Sequence, residues 1–89
     1  ELQDVKLLFS QSVAKRVLAT RWHSSETFEQ QKDGSVLWCA RISEPTEMLP
    51  WVRGWGSSVE VIEPAWLRER VAEEAVKTAG IYGKSAEKP

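Results

Sequence analysis

One cysteine and one histidine are all that this 89-residue sequence offers toward metal or thiol chemistry. A tetrahedral zinc site needs several such ligands, so no metal site is expected. Cys39 has no partner for an internal disulfide, which fits a reducing, cytoplasmic setting. No apolar run reaches the length of a membrane span, and no signal-peptide pattern is present. Net charge is missing too. Twelve basic residues stand against 13 acidic ones, for a net of −1, so no global field draws the chain to DNA or to lipid. The run Gly54-Trp55-Gly56 lacks the length and neighbours of a phosphate-binding loop. Trp55-Gly56-Ser57 is not a nucleophile elbow, because Gly54 and Ser58 do not flank a central serine as Gly-x-Ser-x-Gly requires. Without a nucleophile beside it, His23 reads as a structural histidine at a helix exit. No cofactor and no catalytic residue is expected, and the chain is not read as an enzyme. Its first residue is Glu1, not Met, so it reads as a piece of a larger protein.

What is present suits one small folded domain. Apolar residues make up 42% and charged residues 28%, whereas a disordered tail has fewer apolar residues and a larger net charge. A second domain would be too short to hold its own core. The charge is uneven. Residues 1–23 are mildly basic and residues 24–63 acidic, which argues against a DNA-binding domain of the usual kind. Five tryptophans are many for this length. Some must fill the core, and a surface cluster would mark an interface.

Periodicity gives the element order β-α-β-β-α-β-α. Residues 4–9 alternate Val5, Leu7 and Phe9 onto one face, with Lys6 and Leu8 on the other. Ser10 offers a cap to a helix over 11–21, with Val13, Ala14, Val17 and Leu18 on its apolar side. A weak polar strand over 26–31 and the Asp33-Gly34 turn lead into the clearest strand, residues 36–42. There Val36, Trp38, Ala40 and Ile42 share one face and Leu37, Cys39 and Arg41 the other. Thr46 is favoured as the cap of a short helix to Arg53, because Pro50 is tolerated only within a first turn. Gly54 and Gly56 suit its end. A fourth strand covers 58–62. Pro64 then opens a helix with Leu67, Val71, Ala75 and Ala79 at i, i+4 spacing. The fold class is therefore α+β: a ferredoxin-like β-α-β-β-α-β sandwich with four antiparallel strands, plus a C-terminal helix. The domain is placed at 1–82, with a disordered tail over 83–89. Leu8, Leu37 and Cys39 lie on the open sheet face, which requires cover from the last helix, another domain or a partner chain.

Three groups are candidates for binding. Arg21, Trp22 and His23 suit an effector or interdomain contact, since an indole beside a guanidinium can stack on a base or a partner aromatic. Equally, Trp22 can plug the core while Arg21 is solvated. Lys6 and Arg41 share the open face if strands one and three are neighbours, either as an anion site or as solvated charges. Trp51, Trp55 and Trp66, with Leu8 and Leu37, are candidates for a dimer or domain interface. Cys39 reads as a small, half-buried apolar residue and not as a redox thiol.

Ordered pieces of the chain resemble the WCX domain, the C-terminal extension of WYL-domain transcriptional regulators. Leu8-Phe9-Ser10, Val13-Ala14 and Arg16-Val17 match its opening strand and helix, and Arg21-Trp22-His23 the exit of that helix. Asp33-Gly34-Ser35 and Arg41-Ile42-Ser43 match the hairpin. Glu47 to Leu49, Trp51-Val52 and Gly54-Trp55-Gly56 match the second helix. Val59 to Pro64, Leu67-Arg68 and Val71 match the last strand and helix. Pro50 departs from the family pattern, which continues an uninterrupted helix there. The resemblance implies a bacterial, cytoplasmic parent protein. A helix-turn-helix domain would bind DNA in it, and a WYL domain would sense an effector such as a nucleic acid or nucleotide. The WCX module would assist dimerisation and effector sensing. The partners so implied are the WYL and helix-turn-helix domains of the same polypeptide and a second copy in a homodimer, with no membrane. Two other readings stay open: single-stranded nucleic acid bound on the sheet, as RNA-recognition folds bind RNA, and a small-ligand sensor acting on its own.

Overall fold

The computed structural model describes residues 1–84. Its strands are β1 (Gln3–Phe9), β2 (Thr27–Gln30), β3 (Val36–Ile42) and β4 (Val59–Glu63), and its helices are α1 (Ala14–Leu18), α2 (Leu49–Trp55) and α3 (Ala65–Ile81). Short 3-10 turns precede α1 at Gln11–Val13, α2 at Pro45–Met48 and β4 at Gly56–Ser58. The sheet order is β2-β3-β1-β4, and every neighbouring pair is antiparallel. The chain is thus an α+β fold of one four-stranded antiparallel sheet with a C-terminal helix.

Alternation along the strands creates one core face. Val5, Leu7 and Phe9 of β1 and Val36, Trp38, Ala40 and Ile42 of β3 are all buried, and Leu7 lies opposite Trp38 in register. Every helix contributes to the same cluster: Val13 and Val17 from the α1 region, Leu49 and Val52 from α2, and Leu67 from α3. The slab is only 18 Å thick, as one sheet under one layer of helices should be. α3 therefore joins the core side and is not the cover of the open sheet face.

Several expected boundaries shift for local reasons. The first helix stops at Leu18, where the Thr20 hydroxyl donates to the Arg16 carbonyl at 2.7 Å, and Leu18 is exposed instead of packed. Ser10 makes no side-chain cap; its backbone N–H donates to the Ser58 carbonyl at 2.9 Å, tying β1's exit to the entry of β4. Thr46 is not a cap either. Pro45 opens a 3-10 turn, a place where its missing N–H costs nothing, and α2 begins at Leu49 with Pro50 inside its first turn. Gly54 falls within α2, and Gly56, at φ +60°, ends it. Pro64 sits at the cap of α3, one residue before its start. Of the stripe expected on α3, Leu67 is buried and Val71 packs on the core, but Ala75 is exposed. The hairpin turn is as expected: Gly34 adopts φ +90°, and a Cβ there would meet the Gln11 side chain at 2.9 Å. Gly83 and Lys84 close α3 with backbone bonds to Gly80 and Ala79; the rest of the tail expected at 83–89 lies outside the described residues.

Candidate functional site

An aromatic cluster joins the helices to the sheet. Trp38 and Phe9 are its buried floor. Trp51 sits 5.3 Å from Trp38 and 5.9 Å from Phe9, and Trp55 meets Phe9 edge-on at 5.2 Å. Trp22 stacks on Trp51 at 5.2 Å with planes 19° apart, and also stacks with His23 at 6.0 Å. Trp22, Trp51 and Trp55 are thus half-buried members of one packed group. Four side chains that the sequence offered as separate contacts, Trp22, His23, Trp51 and Trp55, come together here, while Arg21 is exposed beside them. Because Trp22 already stacks on two intramolecular rings, little free indole surface remains for a base.

The loop carrying Trp22 is held by a residue that sequence reasoning missed. Glu26 is buried, 8% exposed, and its Oε1 accepts from the backbone N–H of Trp22 at 2.7 Å and of His23 at 2.8 Å. Its Oε2 is buried without a hydrogen-bond partner. Ser25 ties the same loop to β3: its hydroxyl accepts from the Arg41 N–H at 3.0 Å and lies 2.8 Å from His23 Nδ1. The signal available was local: an acid three or four residues after free backbone N–H groups can reach back to them, as the acid of a capping box does at a helix start.

The open sheet face brings together Leu8, Leu37, Lys6, Cys39 and Arg41. Leu8 pairs with Leu37 across β1 and β3, and Lys6 lies opposite Cys39. All but Arg41 are half-buried. The cations here already have carboxylates. Arg41 pairs with Asp4 at 3.3 Å, and Lys6 with Glu63 at 3.9 Å. These pairs are exposed and individually weak, but with Glu29 opposite Leu37 and Glu60 opposite Leu8 they leave no excess of positive charge on the face. Burial pushes the Cys39 thiol above its ordinary pKa, outweighing the opposing pull of Lys6. It is therefore a thiol, and a poor nucleophile, at neutral pH.

Trp66 stands apart from the aromatic cluster. It is 41% exposed near the start of α3, and its indole N–H donates to Gln3 Oε1 at 2.9 Å. α3 is clamped by Arg68 on Glu60 and the Val61 carbonyl, and by Arg53 of α2, which holds Glu74 through two 3.0 Å hydrogen bonds. Beyond Glu74, Val76, Ile81 and Tyr82 are exposed. At the opposite end of the sheet, Asp33 accepts from both the hydroxyl and the N–H of Ser35, which lowers its pKa. No group of three or more potential metal ligands occurs among the described residues, and no described helix is long and apolar enough to cross a membrane.

A family model, the WCX domain, matches residues 1–79. No curated protein matches the chain. The single antiparallel sheet, the exit loop after α1 and the helices, save the last two residues of α3, fall within that match, and the chain belongs to the WCX domain family.

Proposed function

We propose that this WCX domain is the C-terminal regulatory and dimerisation module of a bacterial WYL-type helix-turn-helix transcription regulator. In the cytoplasm it assists effector sensing by the WYL domain of the same polypeptide and does no chemistry of its own. The observation that carries this reading is the open sheet face. Its apolar part is the half-buried Leu8–Leu37 pair toward one end of β1 and β3, no described helix packs over it, and its cations pair with carboxylates of the same face. An apolar patch beside cations that already have carboxylates suits a protein partner. A polyanion would instead have to displace Asp4 and Glu63. The ferredoxin-like reading is supported by the strand order β2-β3-β1-β4 with helices in both crossovers. Trp66, exposed on α3, belongs to a second contact with a neighbouring domain. Trp51 and Trp55 act from behind, by fixing α2. Arg21 and His23, on the loop held by Glu26, stand where an effector or the WYL domain would make contact.

Sedimentation equilibrium over a wide concentration range tests the reading. A reversible dimer that weakens in Leu8→Ser and Leu37→Ser is the expected result. A strict monomer that binds single-stranded DNA with a steep salt dependence would overturn it in favour of the nucleic-acid reading.

A further inference from the structure

The cations of this domain fall into two classes. Among the described residues Arg41, Arg53, Arg68 and Arg70 each lie within ion-pair distance of a carboxylate, and so does Lys6. Lys15, Arg16, Arg21, Lys32, Lys77 and Lys84 do not, and the first three of these follow one another along α1 and its exit. The sequence explains the concentration: from residue 5 through residue 25 it contains no Asp or Glu at all. The patch is a helix surface and not a cavity. Lys15, Arg16, Leu18 and Ala19 are all exposed, with Leu18 at 38% one turn from Lys15. Arg16 is also pre-positioned. Its guanidinium lies 5.1 Å from the centre of the Trp55 ring, a cation–π contact that holds the fork while leaving its N–H groups free.

We infer that the exposed side of α1 is a docking surface for an acidic protein segment: carboxylates meet Lys15, Arg16 and Arg21 around an apolar contact on Leu18. Charge complementarity gives the sign of the partner, and two observations give its class. The indole of Trp22 is already stacked on Trp51 and His23, so a nucleobase finds little ring to stack on. An exposed leucine within the cationic rim also suits a protein surface better than a polyphosphate. This surface lies on the helix side of the domain, away from the open sheet face, so the inference does not depend on the proposed dimer contact. It rests on the reading above only in taking the domain to work by docking.

The test titrates the whole chain with a short peptide of two leucines flanked by glutamates, following tryptophan fluorescence. A single-stranded oligothymidylate of equal charge is titrated in parallel. The expected result is saturable peptide binding, at least about fivefold weaker in the Arg16→Gln, Arg21→Gln double variant. Arg70→Gln, which removes a cation that already has its carboxylate, should leave it unchanged. An unaltered thermal unfolding curve shows that the double variant is folded. No peptide binding, or equal weakening by Arg70→Gln, would overturn the inference. Tighter binding of the oligothymidylate through the same arginines would hand the patch to nucleic acid. Loss of self-association in the double variant, without peptide binding, would hand it to a second copy. Each of these leaves the open-face reading standing, because that reading is tested by Leu8→Ser and Leu37→Ser.

Discussion

The two faces of the sheet are cut from the same strands yet meet opposite fates. On β3, Val36, Trp38, Ala40 and Ile42 are all buried against the helices, while the interleaved Leu37 and Cys39 are half-buried and Arg41 is exposed. The first set holds the fold together. The second set is the contact face of the proposed reading: a cross-strand leucine pair beside ion-paired side chains. Period-two alternation therefore separates core residues from candidate contact residues along one strand.

The sharpest way to break this comparison is Trp38→Ala. The indole is 1% exposed and touches Trp22 and Trp51, so its loss should cost about 3–5 kcal/mol in urea unfolding. A cost near that of an open-face substitution would show that the two faces are not distinct. Next comes Glu26→Ala, which strips the Trp22 and His23 N–H groups of their acceptor and should cost about 1–3 kcal/mol. It should also shift the Trp22 fluorescence, and an unchanged spectrum would mean that the loop holds itself. Leu37→Ala should cost about 1 kcal/mol or less in the same unfolding assay, because the side chain is only half-buried. The smallest effect is at the hairpin tip, and it appears only with pH. The pKa of Asp33 is lower in the folded chain than its ordinary 3.8. The stabilisation it brings is thus present above that value and is lost as pH falls through the folded pKa. Asp33→Asn should remove this part of the acid dependence, which paired unfolding curves at neutral and acid pH would show.

Much of this could be read before any coordinates. The alternation over residues 36–42 set both faces of β3 correctly, and Asp33-Gly34 located the hairpin. Helix ends were harder, because Val13 to Leu18 carry a helical pattern that nothing in the sequence stops before Thr20 bonds back to Arg16. The candidate site was half legible. Trp22, Trp51 and Trp55 stand out by residue type, but their mutual stacking depends on how α2 crosses the sheet. Glu26 was invisible as a core residue, since an acid is placed inside only by the tertiary contacts that give it donors. The pairing of Lys6 with Glu63 and of Arg41 with Asp4 needed strand register, including the irregularity between Lys6 and Leu7 that brings Glu63 opposite Lys6.

Cys39 offers the most direct probe of the proposed contact face, because it is the chain's only cysteine and lies on that face between Lys6 and Thr27. Its rate of labelling by a neutral thiol reagent should be measured across the concentration range in which the chain associates. The account predicts that labelling slows in step with dimer formation. A rate that stays constant while the chain dimerises would place the interface elsewhere and contradict it.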